Sequence, residues 1–417
     1  MVNKNVNGTQ KTKWVPSSIG EIADYINGRA FKPSEWEKNG LPIIRIQNLN
    51  KGSTIYNCSS KKFENKYLVK NGELLFAWSA SLGAYIWEGQ DAWLNQHIFK
   101  VKPKSGIDKK FLYYLLTNIT TKLYTKTHGS GMVHITKNKF EDTKVTIPPF
   151  NEQKRIIAKI EELFSKLDKG NENLKTASEQ LSVYRETVLK NKFSKFEYNS
   201  TVGDLFNFTG GGTPSKKESS YWNGNLPWAS VKDMKGNHLL HTIDSITDKG
   251  LQNSSANLAN PNDVILITRI SPGKTVISSI KTAINQDLKI INPIIEAEPL
   301  FIHYLFKSLK KEVIKLSSGT TVLGINLNNL RSIPVPFLSI TEQQKIVAEI
   351  ESRFSVIDKI EQEIETNLQK LEVLRQSILK KAFSGKLVKQ DPTDEPASIL
   401  LDRIKSEKKA RQFKSLL

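Results

Sequence analysis

The chain has 417 residues, 61 Lys and Arg against 42 Asp and Glu, and a formal charge of +19. That length predicts two to four domains, each able to bury its own core, and 38% apolar with 9% aromatic residues excludes a disordered chain. A single cysteine, Cys58, excludes a disulfide framework or a Cys-rich zinc site and fits a reducing compartment.

Met1 to Lys13 is polar and lysine-rich and reads as a leader without the apolar core of a secretory signal. No apolar run approaches the roughly 18 residues of a membrane span. A soluble, cytoplasmic protein is expected, and the basic excess favours nucleic acid as partner.

Residues 14–150 predict a mixed strand-and-helix domain. Pro42–Ile46 and Glu73–Ala77 are strand-like, and Phe111 to Leu123 is helical. Residues 151–195 predict a long spacer helix. Ile156, Ile160, Leu163, Leu167, Gly170, Leu174, Ala177, Leu181, Tyr184 and Val188 alternate spacings of four and three, a heptad seam. Pro148–Pro149 precedes its start.

Residues 196–338 predict a second mixed domain, with a strand at Val264–Thr268 and a helix at Leu300–Leu316. Residues 339–385 predict a second spacer helix, with Thr341 and Gln344 as a capping box. Its seam runs Ile346, Ile350, Arg353, Ile357, Ile360, Ile364, Asn367, Leu371, Leu374 and Ile378, so Arg353 and Asn367 are expected inside it. Residues 386–417 form a turn-rich tail with a short amphipathic helix carrying Ile399, Leu400, Leu401 and Ile404, solvated or docked.

These segments are two copies of one unit. Glu152–Ala158 recurs as Glu342–Ala348, an offset of 190, and the match runs without a gap to Phe193–Ser194 and Phe383–Ser384. About 18 of roughly 43 positions there are identical. Asn95–Gln96 answers Asn285–Gln286, and Phe111–Tyr114 answers Phe301–Tyr304. Further upstream the offset drifts, Ile19–Ile22 answering Val202–Leu205. The expected fold class is α+β: two mixed domains separated by two long helices in an antiparallel coiled coil, with internal pseudo-twofold symmetry. At 1.5 Å per residue each helix would reach about 60 Å.

Catalytic motifs are approached but not completed. Phe208–Gly212 spells the F-x-G-x-G of many adenine methyltransferases and Ile147–Phe150 approximates N-P-P-F, but Ile147 lacks the amide acceptor and Thr213–Pro214 follows the glycines. Thr268–Thr275 ends like a P-loop, yet its first glycine is Thr268 and Pro272 removes a phosphate-binding N–H. The six histidines show no metal-ligand spacing. No catalytic, cofactor-binding or metal residue is therefore expected.

The repeat and the start Ile-Pro-Pro-Phe-Asn-Glu-Gln-Lys-Arg-Ile at 147–156 resemble the specificity subunit of type I restriction–modification systems. So do the second helix start at 335–346, Leu379–Leu387, Gly211–Ser215 with Tyr221–Trp222, and Asp394–Ala397. The resemblance covers the chain past its first dozen residues. It implies two target-recognition domains, each reading one half of an asymmetric bipartite double-stranded DNA site, at opposite ends of the helix pair. The helices would act as a ruler and dock two modification (methyltransferase) subunits. Methyl transfer with base flipping, S-adenosylmethionine, Mg and ATP would belong to partner subunits, the motor-nuclease restriction subunits among them. The alternatives are a DNA-independent coiled-coil adaptor and a degenerate adenine methyltransferase.

The DNA-contact candidates of the first domain are Lys32, Arg45, Gln47, Asn48, Ser79, Ser81, Asn95, Gln96, His97, His128, Ser130 and Lys137. Those of the second are Thr213, Ser215, Lys216, Lys217, Lys232, Asp233, Arg269, Lys274, Asn285, Gln286, Ser318, Thr320 and Thr321. Arg, Asn and Gln make bidentate base contacts, whereas lysines and hydroxyls hold phosphate. Because Asn-Gln recurs in both copies while the half-sites should differ, that pair is expected to be structural or phosphate-binding. Trp78 and Trp222 could stack on bases, though core packing suits them better. Residues 1–150 carry 22 basic and 11 acidic side chains, so the first domain should hold the backbone more strongly.

Overall fold

The computed structural model describes residues 13–50, 55–126, 135–319 and 321–414. The chain divides into two compact units, residues 1–173 with 367–417, and residues 174–366. In the first unit, strands Ala23–Asn27, Ile98–Pro103, Leu74–Ala77 and Gly83–Ile86 form one sheet in that order. Cys58–Ser59, Leu41–Ile44, Ala92–Leu94 and Leu68–Val69 form another. The second unit repeats both orders. Phe206–Gly210, Leu288–Pro293, Val264–Ile267 and Thr275–Ser278 make the first, extended by His238–Leu239. Asp244–Ile246, Trp222–Ala229, Thr282–Ile284 and Asn257–Ala259 make the second. Even the one parallel pair inside each smaller sheet recurs, Ile43 beside Trp93 and Trp228 beside Ala283.

Leu74–Ala77 and Val264–Ile267 are buried throughout and paired on both sides, which is why their apolar runs are continuous rather than alternating. The expected strand at Pro42–Ile46 stops at Ile44, because Ile46–Leu49 turns into a helical loop capped by Asn48 Oδ1 on the Arg45 N–H. The helix expected at Phe111–Leu123 runs Lys109–Lys126. That at Leu300–Leu316 is two helices, Pro299–Ser308 and Lys310–Lys315, breaking at Leu309. The tail helix, Ala397–Lys414, docks: Leu400, Leu401 and Ile404 are buried in the core of the first unit, with Arg155 paired to Asp394 at 2.5 Å.

Two long helices, α1 (Phe150–Phe193) and α2 (Ile340–Ala382), pair antiparallel. In the first unit Asp168 bonds Arg375 and Gly170 faces Leu371. In the second unit Lys192 bonds Glu349, while Arg185 reaches Glu361 and Asp358. The seam departs from the strict heptad. Arg353 and Asn367 are exposed, as are Ile360 and Leu374, and Phe354 is buried at 4% exposure in place of Arg353. Ile346, Ile350, Phe354 and Ile357 space as four, four and three, so Phe354 takes the place of Arg353 while Ile350, Ile357 and Ile364 keep the seven-residue spacing. The cap also differs. Ser339 and Glu342 make the box at the start of α2, Ser339 N–H and Oγ donating to Glu342 Oε2 at 2.9 and 2.7 Å, instead of Thr341 and Gln344.

The glutamine of each Glu-Gln repeat is a buried clamp. Gln153 Oε1 accepts from the Asp108 N–H at 2.9 Å while its amide donates to the Gly106 and Pro148 carbonyls. Gln343 does the same with the Glu298 N–H at 3.0 Å and the Leu338 carbonyl. Each clamp ties a long helix to the start of the helix packed beside it. Gln343→Ala should lower the unfolding free energy by about 2 kcal/mol, because it strands buried backbone groups. Chemical denaturation checks this, and Gln343→Glu should recover little, since a carboxylate cannot donate to Leu338.

Candidate nucleic-acid interface

The clearest concave surface is in the second unit, a cleft of about 710 Å³ lined by Thr213, Lys216, Trp222, Trp228, Ser230, Lys232, Asp244, Asn285 and Gln286. It forms where the turn after Phe206–Gly210 crosses the ends of the strands Trp222–Ala229 and Thr282–Ile284. Glycine is required there. A Cβ on Gly211 would stand 2.2 Å from the Asn285 carbonyl oxygen, and one on Gly28 would stand 2.1 Å from that of Asn95. The Asn-Gln pair and the glycine turn are thus one packed feature, present in each unit. In the F-x-G-x-G run, Gly212 lies against Ser255 and the Ala256 N–H, and Gly210 faces the Lys289 side chain.

Two indoles form the floor. Trp222 and Trp228 meet edge to face at 5.2 Å, Trp222 Nε1 donating to the Ser215 carbonyl and Trp228 Nε1 to that of Gly212. Five candidates read from sequence meet here: Thr213, Lys216, Lys232, Asn285 and Gln286. Thr213 Oγ1 donates to Gln286 Oε1, and Asn285 is buried with its Oδ1 accepting from the Asp287 N–H at 3.1 Å. That leaves Gln286, exposed, as the polar head of the pair. Lys216 is exposed, and Lys232 is held by Asp244 at 2.6 Å, an ion pair that raises the lysine pKa. Ser215 and Lys217 flank the cleft on the same exposed loop.

Asp233 is buried and fully engaged. Its carboxylate accepts from the Ser230 N–H at 2.8 Å, Ser230 Oγ at 2.9 Å and the Ile243 N–H at 2.9 Å, an arrangement that fixes the cleft wall. Arg269 pairs with Asp287 at 3.3 Å on a second exposed surface near Lys274, Ser318 and Thr321. Thr320 lies outside the described residues. The run Thr268–Thr275 connects two antiparallel strands, so no helix follows it as phosphate cradling requires. Sequence reasoning did not select Trp228, Ser230 or Asp244; only the sheet order brings them beside the glycine turn.

In the first unit the candidates are more dispersed. Lys32, Gln47 and Lys137 are exposed, Lys137 pairing with Glu141 at 3.6 Å. Arg45 stacks over Trp36 at 5.4 Å, and Asn48 donates to the Ile55 carbonyl at 3.0 Å. Ser79 is buried and its carbonyl accepts from the Ser81 N–H at 2.6 Å. Asn95, Gln96 and His97 are half-buried, and Gln96 Oε1 and His97 Nδ1 have no hydrogen-bond partner among the described residues. Trp78 stacks on Phe99 at 5.7 Å, a core use. His128 and Ser130 lie outside the described residues. Among the described residues no group of three or more His, Cys, Asp or Glu could hold a metal ion, and no helix is long and apolar enough to cross a membrane.

A sequence profile described as the type I restriction modification DNA specificity domain matches residues 11–180 and again 194–370. The EcoBI specificity subunit of Escherichia coli is 26% identical over 459 aligned positions, covering 98% of this chain and 96% of that one. The MjaVIII specificity subunit of Methanocaldococcus jannaschii is 24% identical, covering 90% and 93%. Among solved structures, a chain from work on assembly and conformational transition of the type I R-M system superposes with a TM-score of 0.67 at 20% identity, covering 89% of this chain and 98% of that one. The HsdS subunit from Thermoanaerobacter tengcongensis gives 0.53 at 20% identity, covering 91% and 99%. With the specificity domain matched twice over most of its length, this chain belongs to the type I restriction–modification DNA specificity family.

Proposed function

We propose that the chain is the DNA-recognition subunit of a type I restriction–modification complex, reading an asymmetric bipartite duplex with one half-site per unit. The observation that carries this is the repeated pair of sheets beside divergent polar surfaces. One scaffold built twice, with Lys216, Lys217 and Arg269 exposed on the second copy and Lys32 and Gln47 on the first, suits two different half-sites. The two modification subunits dock on the helix pair, whose two halves present similar surfaces. The chain itself is non-catalytic; S-adenosylmethionine, Mg and ATP belong to its partners, and the whole acts in the cytoplasm. The DNA contacts lie among those named above, lysines on phosphate and Gln286, as part of the recurring Asn-Gln pair, on phosphate rather than on a base edge.

The test is duplex binding by the complex of this chain with its methyltransferase subunits across 50–200 mM salt. Affinity should fall steeply, and Lys216→Ala should reduce the slope of log K against log salt by about one while weakening all sequences alike. Binding that ignores salt would favour the adaptor reading. S-adenosylmethionine binding by the isolated chain would favour the degenerate methyltransferase.

A further inference from the structure

Two residues exactly one repeat apart share a strained backbone. Ala80 has φ 58° and Ile270 φ 74°, each in the hairpin that leaves an inner strand, Leu74–Ala77 in the first unit and Val264–Ile267 in the second. A β-branched residue in the left-handed region is a rare and costly conformation, tolerated where surrounding structure imposes it. Here it is imposed. The Ile270 N–H donates to the Leu323 carbonyl at 2.8 Å, and the Ile325 N–H donates to the Thr268 carbonyl at 2.9 Å, pinning the tip from both sides. The first unit has the matching bond, Ile135 N–H to the Trp78 carbonyl at 3.4 Å.

The strain holds an apolar side chain outward. Ile270 is 56% exposed beside Arg269, whose guanidinium stays largely exposed despite its pair with Asp287. Gly273 of the same tip packs against the helix Lys310–Lys315, which presents Lys310, Lys311 and Lys315 with Glu312 as its one acid. An isoleucine fixed rigidly outward within a cationic surface suits the one apolar feature of a DNA groove edge, the 5-methyl group of thymine.

We propose that Ile270 is a base-reading residue of the second unit, making apolar contact with a thymine methyl in the major groove, with Arg269 and the lysines holding the adjacent backbone. The inference rests on the DNA-recognition reading above. Its test uses the complex with methyltransferase subunits and its recognised duplex, replacing each thymine singly by deoxyuridine. One replacement should weaken binding about fourfold, the factor that burying one methyl group supplies. Ile270→Gly, which suits the positive φ and so preserves the fold, should abolish that sensitivity while keeping the salt slope. A recognised site without thymine, uniform indifference to deoxyuridine, or retained sensitivity in Ile270→Gly would overturn the proposal. Salt-independent binding by the unaltered complex would instead overturn the DNA-recognition reading itself.

Discussion

Lowering the pH from 6.5 to 4 should cost the second unit about 3 kcal/mol through His303 alone. This ring is fully buried, with Nδ1 3.0 Å from Thr275 Oγ1 and Nε2 without a hydrogen-bond partner among the described residues. Burial, with Lys307 and His238 nearby, depresses its pKa from 6.5 to about 3. The folded ring is therefore neutral where the unfolded one takes a proton. Its contribution is complete above pH 6.5 and is lost as the pH falls toward 3. Urea unfolding followed by tryptophan fluorescence, to which Trp222 and Trp228 of this unit contribute, measures this. His303→Gln should narrow the gap in stability between pH 6.5 and 4 by about 3 kcal/mol, even if it lowers stability at both. Parallel profiles for the two proteins would contradict the assignment.

The second large effect lies in the helix pair. Arg185 lies over the Phe354 ring at 4.9 Å, bonds Glu361 at 2.9 Å and also bonds Asp358. One repeat later, Arg375 lies over the Phe164 ring at 4.3 Å and bonds Asp168. Phe164 and Phe354 in turn meet Tyr114 and Tyr304 edge to face at 5.7 and 5.5 Å. Each unit thus closes its part of the helix pair with the same arginine, phenylalanine and aspartate, taken from opposite helices. Cation–π and ionic terms of this kind contribute about 1–2 kcal/mol together when half-buried. Arg185→Glu adds repulsion from Asp358 and Glu361, so a loss of about 2 kcal/mol is expected. Arg185→Glu with Glu361→Arg should regain at least half of it. If the exchanged pair is as unstable as the single variant, packing of the arginine stem on Phe354 is the dominant contribution instead.

The repeat explains why so much of the architecture was legible: a 190-residue offset predicts that any element found once occurs twice. Helix existence was equally plain, but its seam was not. The seven-residue period is right, since Ile350, Ile357 and Ile364 are buried at that spacing, but the pattern does not tell which of the neighbours Arg353 and Phe354 faces inward, and Phe354 does. The capping box is ambiguous in the same way, since Ser339–Glu342 and Thr341–Gln344 fit one pattern and only the position of the first turn separates them. Docking of the tail helix depends on a hydrophobic surface assembled from distant segments, with Leu400 beside Gly106. The cleft was half legible. Gln286 and Lys216 are visible as polar loop residues, but Trp228 and Asp244 join them through strand order. The strained tips were not legible at all, because Ile270 carries no sequence mark of a positive φ.

Methylome sequencing of cells carrying the system, with and without this gene, tests DNA recognition most directly. The predicted result is methylation at one asymmetric site of two short half-sites separated by a fixed spacer, present only with the gene. Methylation unchanged by its removal, or confined to one continuous symmetric motif, would contradict the account.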